Sequence, residues 1–377
     1  MAVIQGQRFT YSDTVNEAID MSNALDILRP TDVPLLSYIG RDSLRDPVIA
    51  VKHEWLEDDL RGQTTNDVGA TLNNTTDPVA VTVTSGDGNT KFRADDIIRV
   101  EDELMRVNSV TANTITVKRG WGGSTNAAHA SGILITLISP ALQQGSALLG
   151  ARTTTKTGKF NYTQIFEEEV VVSATQQTTR KWTKQNDAEY QIQNHLELLG
   201  TNMEKTLLFG RKAAAASGLQ STMDGIRVIL ATNVYDKTGA ALTQTMIEDA
   251  LQDIWTAGAK AMCIVVNATQ KRRLDTFLDA YREIDYGATK LGSVVSSYET
   301  NFGQLDVLLD RWMLTNEVLI LDKSKIGFGP LRGLGITKLP PLSREYDVWQ
   351  MSGEYTAEVR LEKSHALIKN LATTGLF

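Results

Sequence analysis

Residues 186–211, NDAEYQIQNHLELLGTNMEKTLLFGR, are the stretch from which the rest of the chain is interpreted. Asn186 can cap a helix, and Glu189 lies three residues later, where a capping box places its acidic residue. Gly200 interrupts the run at a cost of about 1 kcal/mol relative to alanine. The pattern predicts one long amphipathic helix, roughly 38 Å long at about 1.5 Å per residue. Its apolar residues recur at steps of four and three, and so share one face: Ala188, Ile192, Leu196, Leu199, Met203 and Leu207.

The composition limits the class of protein. A chain of 377 residues can form two or three domains, and 42% hydrophobic with 22% charged residues is typical of a soluble globular protein. No apolar run approaches the ~18 residues that a membrane span requires, and the N-terminus lacks the pattern of a signal peptide. Cys263 is the single cysteine, which excludes an internal disulfide and a cysteine-based zinc site. The net charge of −7 argues against nucleic acid as the main binding partner, although a wall could enclose nucleic acid without gripping it.

Residues 1–50 are predicted to form an arm. Their short apolar clusters are separated by Asp and Asn and are broken by Pro30, Pro34 and Pro47. This is too little apolar surface for a core of its own. The arm is therefore expected to pack on the rest of its chain or on a neighbouring subunit.

The next region divides into two extended limbs and an insert. Residues 51–77 and 140–172 are polar and extended, with strands predicted at 48–55 and at EEEVVVSA, residues 167–174. Residues 78–139 contain short runs rich in Val, Ile and Thr, separated by turn residues. This spacing predicts a small β barrel or sandwich inserted between the limbs.

Three further segments follow: the long helix within 173–219, an α/β domain at 220–340, and two closing strands in 341–377, joined near Ser352–Gly353. In the α/β domain, a helix from Thr245 to Ala257 is expected to begin with a capping box formed by Thr245 and Glu248. Asn267 is expected to cap a second helix. Strands are predicted at 225–231, 261–266, 303–310 and 317–322.

Residues that could carry chemistry are scattered. The sequence has no Walker loop, no dinucleotide-binding glycine motif and no serine-hydrolase elbow. Cys263 lies inside an apolar run and is interpreted as an inert core thiol. None of the histidines belongs to a metal-binding motif, and each is interpreted as structural: His53, His129, His195 and His365.

Three acidic runs occur at 57–59, 101–103 and 167–169. They could be hydrolytic pairs or cation sites, but successive residues of a strand point to opposite faces, and no run has the ligand spacing of a calcium loop. Solvated turns or salt-bridge surfaces between subunits are the favoured interpretation. The basic cluster 271–273 is interpreted as a surface or interface charge, with nucleic-acid contact as the alternative.

Four stretches resemble a known family, the major capsid proteins of tailed bacteriophages with the Hong Kong 97-type fold. Residues 195–210 resemble the end of that family's spine helix, and 311–333 resemble a late strand and loop of its axial domain. Residues 353–371 resemble its closing peripheral-domain strand, and 92–123 resemble a small β module of phage structural proteins. The resemblance implies an α+β fold with an arm, an extended loop, a spine helix, and peripheral and axial domains, here with an all-β domain inserted in the extended loop.

The resemblance also implies a function without catalysis, cofactor or metal. Copies would assemble into hexamers and pentamers of an icosahedral head that encloses double-stranded DNA. The extended loop would lie over one neighbour, and the arm would reach under another. Since the sequence begins at Met1, removal of a long leader segment is not expected, and a separate scaffolding protein is. Other implied partners are a portal and a possible decoration protein, with no membrane. Assembly would occur in the host cytoplasm, and the final location would be the virion capsid.

The candidate assembly contacts are the charged residues of the limbs, and Gly200 is a candidate hinge in the spine helix. Some members of the family cross-link a loop lysine covalently, but nothing in this sequence identifies a partner for such a lysine. The candidate contacts are Glu57, Asp58, Asp59, Lys156, Lys159, Glu167, Glu168 and Glu169.

Three other functions are weighed against this one. A cellular nanocompartment shell would share the fold but would bind cargo and lack so long a loop. A tail-associated carbohydrate-binding protein would require exposed aromatic residues, and Trp121 is the only tryptophan in the insert. An enzyme is disfavoured because no catalytic motif is present.

Overall fold

The computed structural model describes residues 31–40, 43–44, 46–58, 62–67, 69, 72, 77–145, 156–179, 187–279, 297–340 and 345–374. Most of the predicted arm, Asp59 and the predicted cap Asn186 lie outside the described residues. The chain divides into two compact units. We call Met1–Trp55 with Lys159–Phe377 the body, and Leu56–Gly158 the insert. Within the described part of the chain, no helix has the length and apolarity needed to cross a membrane.

The helices and strands are numbered in chain order. The helices are α1 Pro34–Ile39, α2 Gly88–Lys91, α3 Ala174–Thr178, α4 Asp187–Phe209, α5 Ile226–Ile229, α6 Gln244–Thr256 and α7 Ala268–Asp279. The first strands are β1 Lys52–Glu57, β2 Thr64–Asn66, β3 Val79–Thr82, β4 Asp96–Val100, β5 Glu103–Thr111, β6 Thr114–Lys118, β7 Leu134–Pro140, β8 Thr157–Tyr162 and β9 Gln164–Ser173. The remaining strands are β10 Val234–Asp236, β11 Cys263–Val266, β12 Ser297–Thr300, β13 Gly303–Leu309, β14 Val318–Leu321, β15 Ile326–Leu339, β16 Tyr346–Val359 and β17 Ala366–Lys369.

The body is built around α4, the helix predicted from its apolar periodicity. The apolar face of α4 contributes Leu199, Met203 and Leu207 to a core that also contains Phe166 and Val170 of β9. Strand β9 is at the edge of an antiparallel three-stranded sheet in the order β15-β16-β9. The long helix and the EEEVVVSA strand are thus both confirmed, and they pack against each other.

A second, six-stranded sheet completes the body, in the order β10-β17-β14-β11-β13-β12. Its β11–β13 and β10–β17 pairs are parallel, and the other pairs are antiparallel. Apolar residues of α6 and α7 cover one face, and the opposite face contributes Cys263, Val265 and Leu319 to the same core as α4. Because both faces are covered, every residue of β11 is buried, as its continuous apolar run predicted.

The insert contains a six-stranded antiparallel sheet in the order β2-β7-β4-β5-β6-β3. A bridge between Asp67 and Val83 connects its two edges, so the sheet curls until its first and last strands meet. The enclosed core is aliphatic apart from Phe92, with Ile98, Met105 and Ile115 fully buried. The strands predicted between residues 79 and 139 are all present.

The closing segment differs from the prediction, because β16 runs unbroken through Ser352–Gly353. The glycine serves close packing rather than a turn. A Cβ atom at Gly353 would lie 2.8 Å from Cε2 of Tyr355 and 3.1 Å from the Cα of Leu334. Strand β16 pairs with β15, and β17 instead pairs with β10 and β14 in the other sheet. The stretch predicted as one strand pair therefore divides between two sheets.

Two local predictions in the α/β region were also wrong. The 225–231 segment, predicted as a strand, forms the single helical turn α5, which lets Arg227 reach Glu317 with both guanidinium nitrogens at 2.6 and 2.7 Å. Helix α6 is capped by Thr243, whose hydroxyl accepts the N–H of Met246 at 3.3 Å, and Thr245 lies inside the helix. The first of these outcomes depends on a residue 90 positions away, which overrides the local β propensity of Ile and Val.

Candidate functional site

The acidic run of β9 is divided by the strand geometry. Glu167 and Glu169 are exposed on one face, and Glu168 points to the opposite face, towards α4. There its carboxylate lies 3.4 Å from Nδ1 of His195. Glu167 accepts a hydrogen bond from the Gln350 amide at 2.6 Å. The sheet thus presents two of the three predicted contact residues outward and keeps the third for an internal contact.

Apolar side chains flank these two carboxylates on the same outward face. Ile165 and Val171 are both exposed to more than half of their maximum, although strand residues of this type are usually buried. On the neighbouring strand, Gln350 lies opposite Glu169 and Ser352 lies opposite Glu167. The outward face is consequently mixed in character, with apolar ends and an acidic centre.

Of the remaining predicted contacts that the structure describes, Glu57 ends β1 and Asp58 follows it, whereas Lys156 precedes the paired strand β8 and Lys159 lies within it. Lys156, Lys159 and Asp58 are exposed, and Glu57 is half-buried. The run predicted at 48–55 forms a strand only from Lys52. Strand β8 is fixed to the body by Phe160, whose ring lies 4.4 Å from Nζ of Lys52 and 4.5 Å from Nζ of Lys212. These two cations hold the aromatic ring between them.

Helix α4 continues without interruption through Gly200. A Cβ atom at Gly200 would lie 3.9 Å from Cγ1 of Val33, which is an ordinary contact distance. Val33 precedes α1, so Gly200 lies where the described end of the arm meets the long helix. Alanine therefore fits here, and the predicted hinge stays a hypothesis.

A buried carboxylate that the sequence analysis missed lies one turn further along α4. Glu204 is fully buried, and its two carboxylate oxygens accept the backbone N–H groups of Leu35 and Leu36 at 2.8 and 2.7 Å. Burial, and then the nearby charge of Asp310, raise the pKa of Glu204 to about 7. Its apolar neighbours in sequence gave a local signal, because a glutamate among Met203, Leu207 and Leu208 is on the core side of the helix.

Asp310 is also fully buried, directly after β13. Its Oδ1 accepts the N–H of Trp312 at 2.8 Å, and its Oδ2 has no hydrogen-bond partner among the described residues. Burial raises the pKa of Asp310 as well. The body therefore places two acidic groups in its interior near each other.

The insert contains a different buried charge group. Arg119 donates to Glu103 through Nε at 2.9 Å, and both side chains are fully buried. His129 is placed between Glu101 and Glu103, with its ring nitrogens 2.8 and 2.9 Å from their carboxylates. Burial alone would raise the pKa of Glu103, but hydrogen bonds from Arg119, His129 and two backbone N–H groups lower it to about 2.

This cluster corrects the interpretation of the acidic run 101–103 for Glu103 alone, since Glu101 and Asp102 form an exposed turn as predicted. Glu103 forms an internal ion pair with Arg119 and also contacts His129. These contacts hold the segment around Arg119 and His129 against β5. The partners lie 16 and 26 residues away, so the acidic run alone could not reveal them.

Cys263 is buried in β11, and burial raises the pKa of its thiol to about 12, which opposes formation of a reactive thiolate. In the part of the chain that the structure describes, no group of three or more His, Cys, Asp or Glu side chains could hold a metal ion.

Solved structures with the same fold span nearly the whole chain. The capsid asymmetric unit of cyanophage A-1(L) is 10% identical with a TM-score of 0.57, and the match covers 97% of this chain and 99% of that one. A structure of Microbacterium phage Oxtober96 is 13% identical with a TM-score of 0.52, covering 96% and 98%. The capsid of an empty GTA particle is 12% identical with a TM-score of 0.52, covering 97% and 98%. No curated protein sequence matches the chain.

A family model decides the assignment. The model of the SU10 major capsid protein matches residues 4–372. This agrees with the predicted class and does not favour the nanocompartment shell or the carbohydrate-binding tail protein. The role is that of a structural subunit of a phage capsid lattice, located in the virion. The chain belongs to the SU10 major capsid protein family.

Proposed function

We propose that copies of this chain form the hexamers and pentamers of an icosahedral, Hong Kong 97-type head that encloses double-stranded DNA. The observation that carries the proposal is the family match over residues 4–372, on a chain folded as a helix-centred body and a separate β insert. In this scheme α4 is the spine helix, the three-stranded sheet belongs to the peripheral domain, and the six-stranded sheet belongs to the axial domain. Residues 51–77 and 140–172, which lie partly within the insert, form the extended loop.

Exposed apolar side chains support contacts with further copies. Ile49 is 88% exposed, and Trp255 is 65% exposed with its ring centroid 6.4 Å from that of Phe302. Tryptophan is enriched in the buried centres of protein interfaces. In a lattice, neighbouring copies would remove this surface from water.

The outward face of β9 is the contact surface that we assign first. Its carboxylates Glu167 and Glu169 suit the exposed lysines Lys156 and Lys159 of another copy. Such a contact joins two different surfaces, and contacts of this kind close into rings when the rotation between copies permits. Each contact can be weak, because a subunit in a shell is held by several neighbours at once. Glu57, Asp58 and Asp59 are assigned to a second acidic contact.

The other partners follow from the same scheme. A separate scaffolding protein would direct assembly in the host cytoplasm, a portal would occupy one vertex, and a decoration protein could bind the insert. The net charge of −7 keeps packaged DNA from adhering to the wall. A bend of α4 at Gly200 would accompany expansion of the shell.

Negative-stain electron microscopy of the full chain tests the proposal, with the chain expressed alone and together with its neighbouring genes. Closed shells or capsomer rings are expected when the scaffolding protein is present. A monodisperse monomer or dimer under every condition would contradict the proposal.

Charge reversal tests the assigned contact surface. The double substitution Glu167→Lys and Glu169→Lys is expected to abolish shells while leaving the folded subunit intact, as judged by circular dichroism. Glu189→Lys is the matched control, because Glu189 is also exposed and lies outside the β9 face. If the double variant formed normal shells, the outward face of β9 would not be a contact surface between subunits.

A further inference from the structure

Residues 31–40, which we call the arm root, are held on the body by contacts with distant parts of the chain. The Asp32 carboxylate pairs with Arg311 at 2.9 Å, and the Asp32 carbonyl accepts the indole N–H of Trp312 at 2.9 Å. The hydroxyl of Tyr38 donates to Asp306 at 2.7 Å. The Asp32 contacts precede the short helix α1 and the Tyr38 contact lies in its last turn, so the arm root is fixed at both places.

The centre of this contact is a carboxylate rather than an apolar residue. Glu204 accepts hydrogen bonds from the backbone N–H groups of Leu35 and Leu36, so a side chain of α4 caps the N-terminus of α1. These N–H groups have no carbonyl partner within α1, since the first turn of any helix leaves its donors unsatisfied. The arrangement replaces a local cap by a residue 169 positions away.

The charges around Glu204 do not neutralise it. Asp310 is a second buried acid, and its Oδ2 has no hydrogen-bond partner among the described residues. Of the nearby cations, Arg311 pairs with Asp32, and Lys205 lies over the Trp312 ring at 3.9 Å. Lys323 lies over the Tyr38 ring at 4.3 Å. Each cation therefore has another contact, and two carboxyl groups share an environment that separates them from water.

We propose that Glu204 and Asp310 form a proton-operated latch that closes the arm root onto the body when Glu204 is protonated and loosens it when Glu204 ionises. Protonation removes the repulsion between the two buried acids and the cost of burying the charge of Glu204. The hydrogen bonds from Leu35 and Leu36 act in the opposite direction, because they favour the ionised carboxylate, but they are outweighed by burial and Asp310. Ionisation restores two negative charges in a poorly solvated place. Detachment of the arm root then admits water to Glu204.

The direction of the pH dependence follows from linkage. The closed state raises the pKa of Glu204 from the ordinary 4.5 to about 7, so the closed state binds a proton more tightly than the open one. The latch contributes its full stabilisation below the ordinary pKa and loses it as pH rises towards about 7. Burial, and then the hydrogen bond to Asp306, raise the pKa of Tyr38, which therefore stays neutral over this range.

The latch goes beyond the proposed role in the shell and can be measured on the dispersed subunit. Hydrogen exchange, read by mass spectrometry on peptides that cover 34–40, reports opening directly after correction for intrinsic exchange. In the full wild-type chain, protection should fall about tenfold per pH unit from about pH 5 to about pH 7. Protection in peptides from the insert strand β5 should change much less, which excludes global unfolding.

Glu204→Gln keeps one acceptor oxygen for the two N–H groups and replaces the other by an amide NH2, so the arm root should be less protected at low pH, but its protection should no longer change with pH. Glu189→Gln removes the same charge from an exposed position on α4 and should retain the wild-type slope. If Glu204→Gln fails to fold, Asp310→Asn is measured instead. Glu204 should then ionise at lower pH, so arm-root protection should change less between about pH 6 and about pH 7. The latch would be overturned if arm-root protection in the wild-type chain did not change with pH. It would also be overturned if Glu204→Gln, or Asp310→Asn in its place, kept the wild-type pH dependence.

Discussion

Glu103 in the insert and Glu204 in the body are both inaccessible to solvent, at 1% and 0% exposure, but Glu204 lies deeper, and their pKa values lie on opposite sides of the ordinary value. In the insert, burial is outweighed by hydrogen bonds from Arg119 and His129, and the pKa of Glu103 is about 2. In the body, burial and Asp310 act together, and the pKa of Glu204 is about 7. Burial alone therefore does not determine whether a carboxylate responds to pH near neutrality. What determines it is the depth of burial together with the sign of the charge placed beside the carboxylate.

The difference also separates two uses of a buried acid. Glu103 is part of a closed group whose charges compensate one another, which gives the insert a fixed interior. Glu204 fixes the arm root to a helix of the body without an opposite charge. The first arrangement resists change, and the second can be reversed by one proton.

The largest effect is expected from removing Arg119, the cation that compensates the buried negative charge of Glu103 in the insert. Arg119→Met leaves Glu103 buried without its guanidinium partner and should lower the free energy of unfolding of the insert by about 3–5 kcal/mol. Urea unfolding followed by hydrogen exchange in β4–β6 peptides measures this loss. Arg99→Met is the control, because Arg99 is largely exposed and its pair with Asp102 is long at 3.5 Å. A loss in Arg119→Met no larger than in the control would show that the pair is not stabilising.

Opposite pH trends in the two units are the next expectation, each with a limit of about 1.4 kcal/mol per pH unit. Glu204 has a raised pKa, so the stability that it contributes to the body is lost as pH rises from the ordinary 4.5 to about 7. Glu103 has a lowered pKa, so its contribution to the insert is lost as pH falls from 4.5 to about 2. Unit-resolved hydrogen exchange from about pH 3 to about pH 8 should show the insert gaining stability as pH rises to about 4.5, and the body losing stability as pH rises from there to about 7. Parallel profiles would contradict the comparison.

The smallest effect is expected at Gly200, one turn before Glu204. Gly200→Ala should stabilise α4 by about 1 kcal/mol, because alanine has the higher helix propensity and its Cβ meets Val33 at an ordinary distance. Thermal unfolding measures the gain, and the pH profile of the arm root should keep its midpoint. Shell expansion in this variant tests the hinge: normal assembly and expansion would rule it out.

Much of the architecture could be predicted from patterns that are local in the sequence. The spacing of apolar residues along α4 reflects the one face that packs on the core, and the continuous apolar run of β11 reflects burial on both faces of the sheet. Short β-rich runs with turn residues were enough to place the strands of the insert. Glycine gave less secure signals, since Gly353 was interpreted as a turn and instead permits close contact with Tyr355 and Leu334.

The missed features depend on residues that are far apart in the chain. Arg119 and His129 turn one member of an acidic run into an interior residue, and nothing near Glu103 indicates this. The same holds for Glu204, whose partners are backbone groups of Leu35 and Leu36. The candidate contacts of β9 could be predicted only as a run, because the direction of each side chain depends on the register with β16.

The central claim is that neighbouring charge, acting together with the depth of burial, decides which buried carboxylate titrates near neutral pH. The most direct test is a pH titration of the side-chain carboxyl carbon signals in protein labelled with ¹³C at glutamate Cδ. Signals of Glu103 and Glu204 can be assigned from Glu103→Gln and Glu204→Gln. The account predicts that the Glu204 signal titrates with a midpoint near 7, and that the Glu103 signal stays constant from about pH 4 to about pH 8. A Glu204 midpoint at the ordinary value, or titration of both signals together, would contradict it.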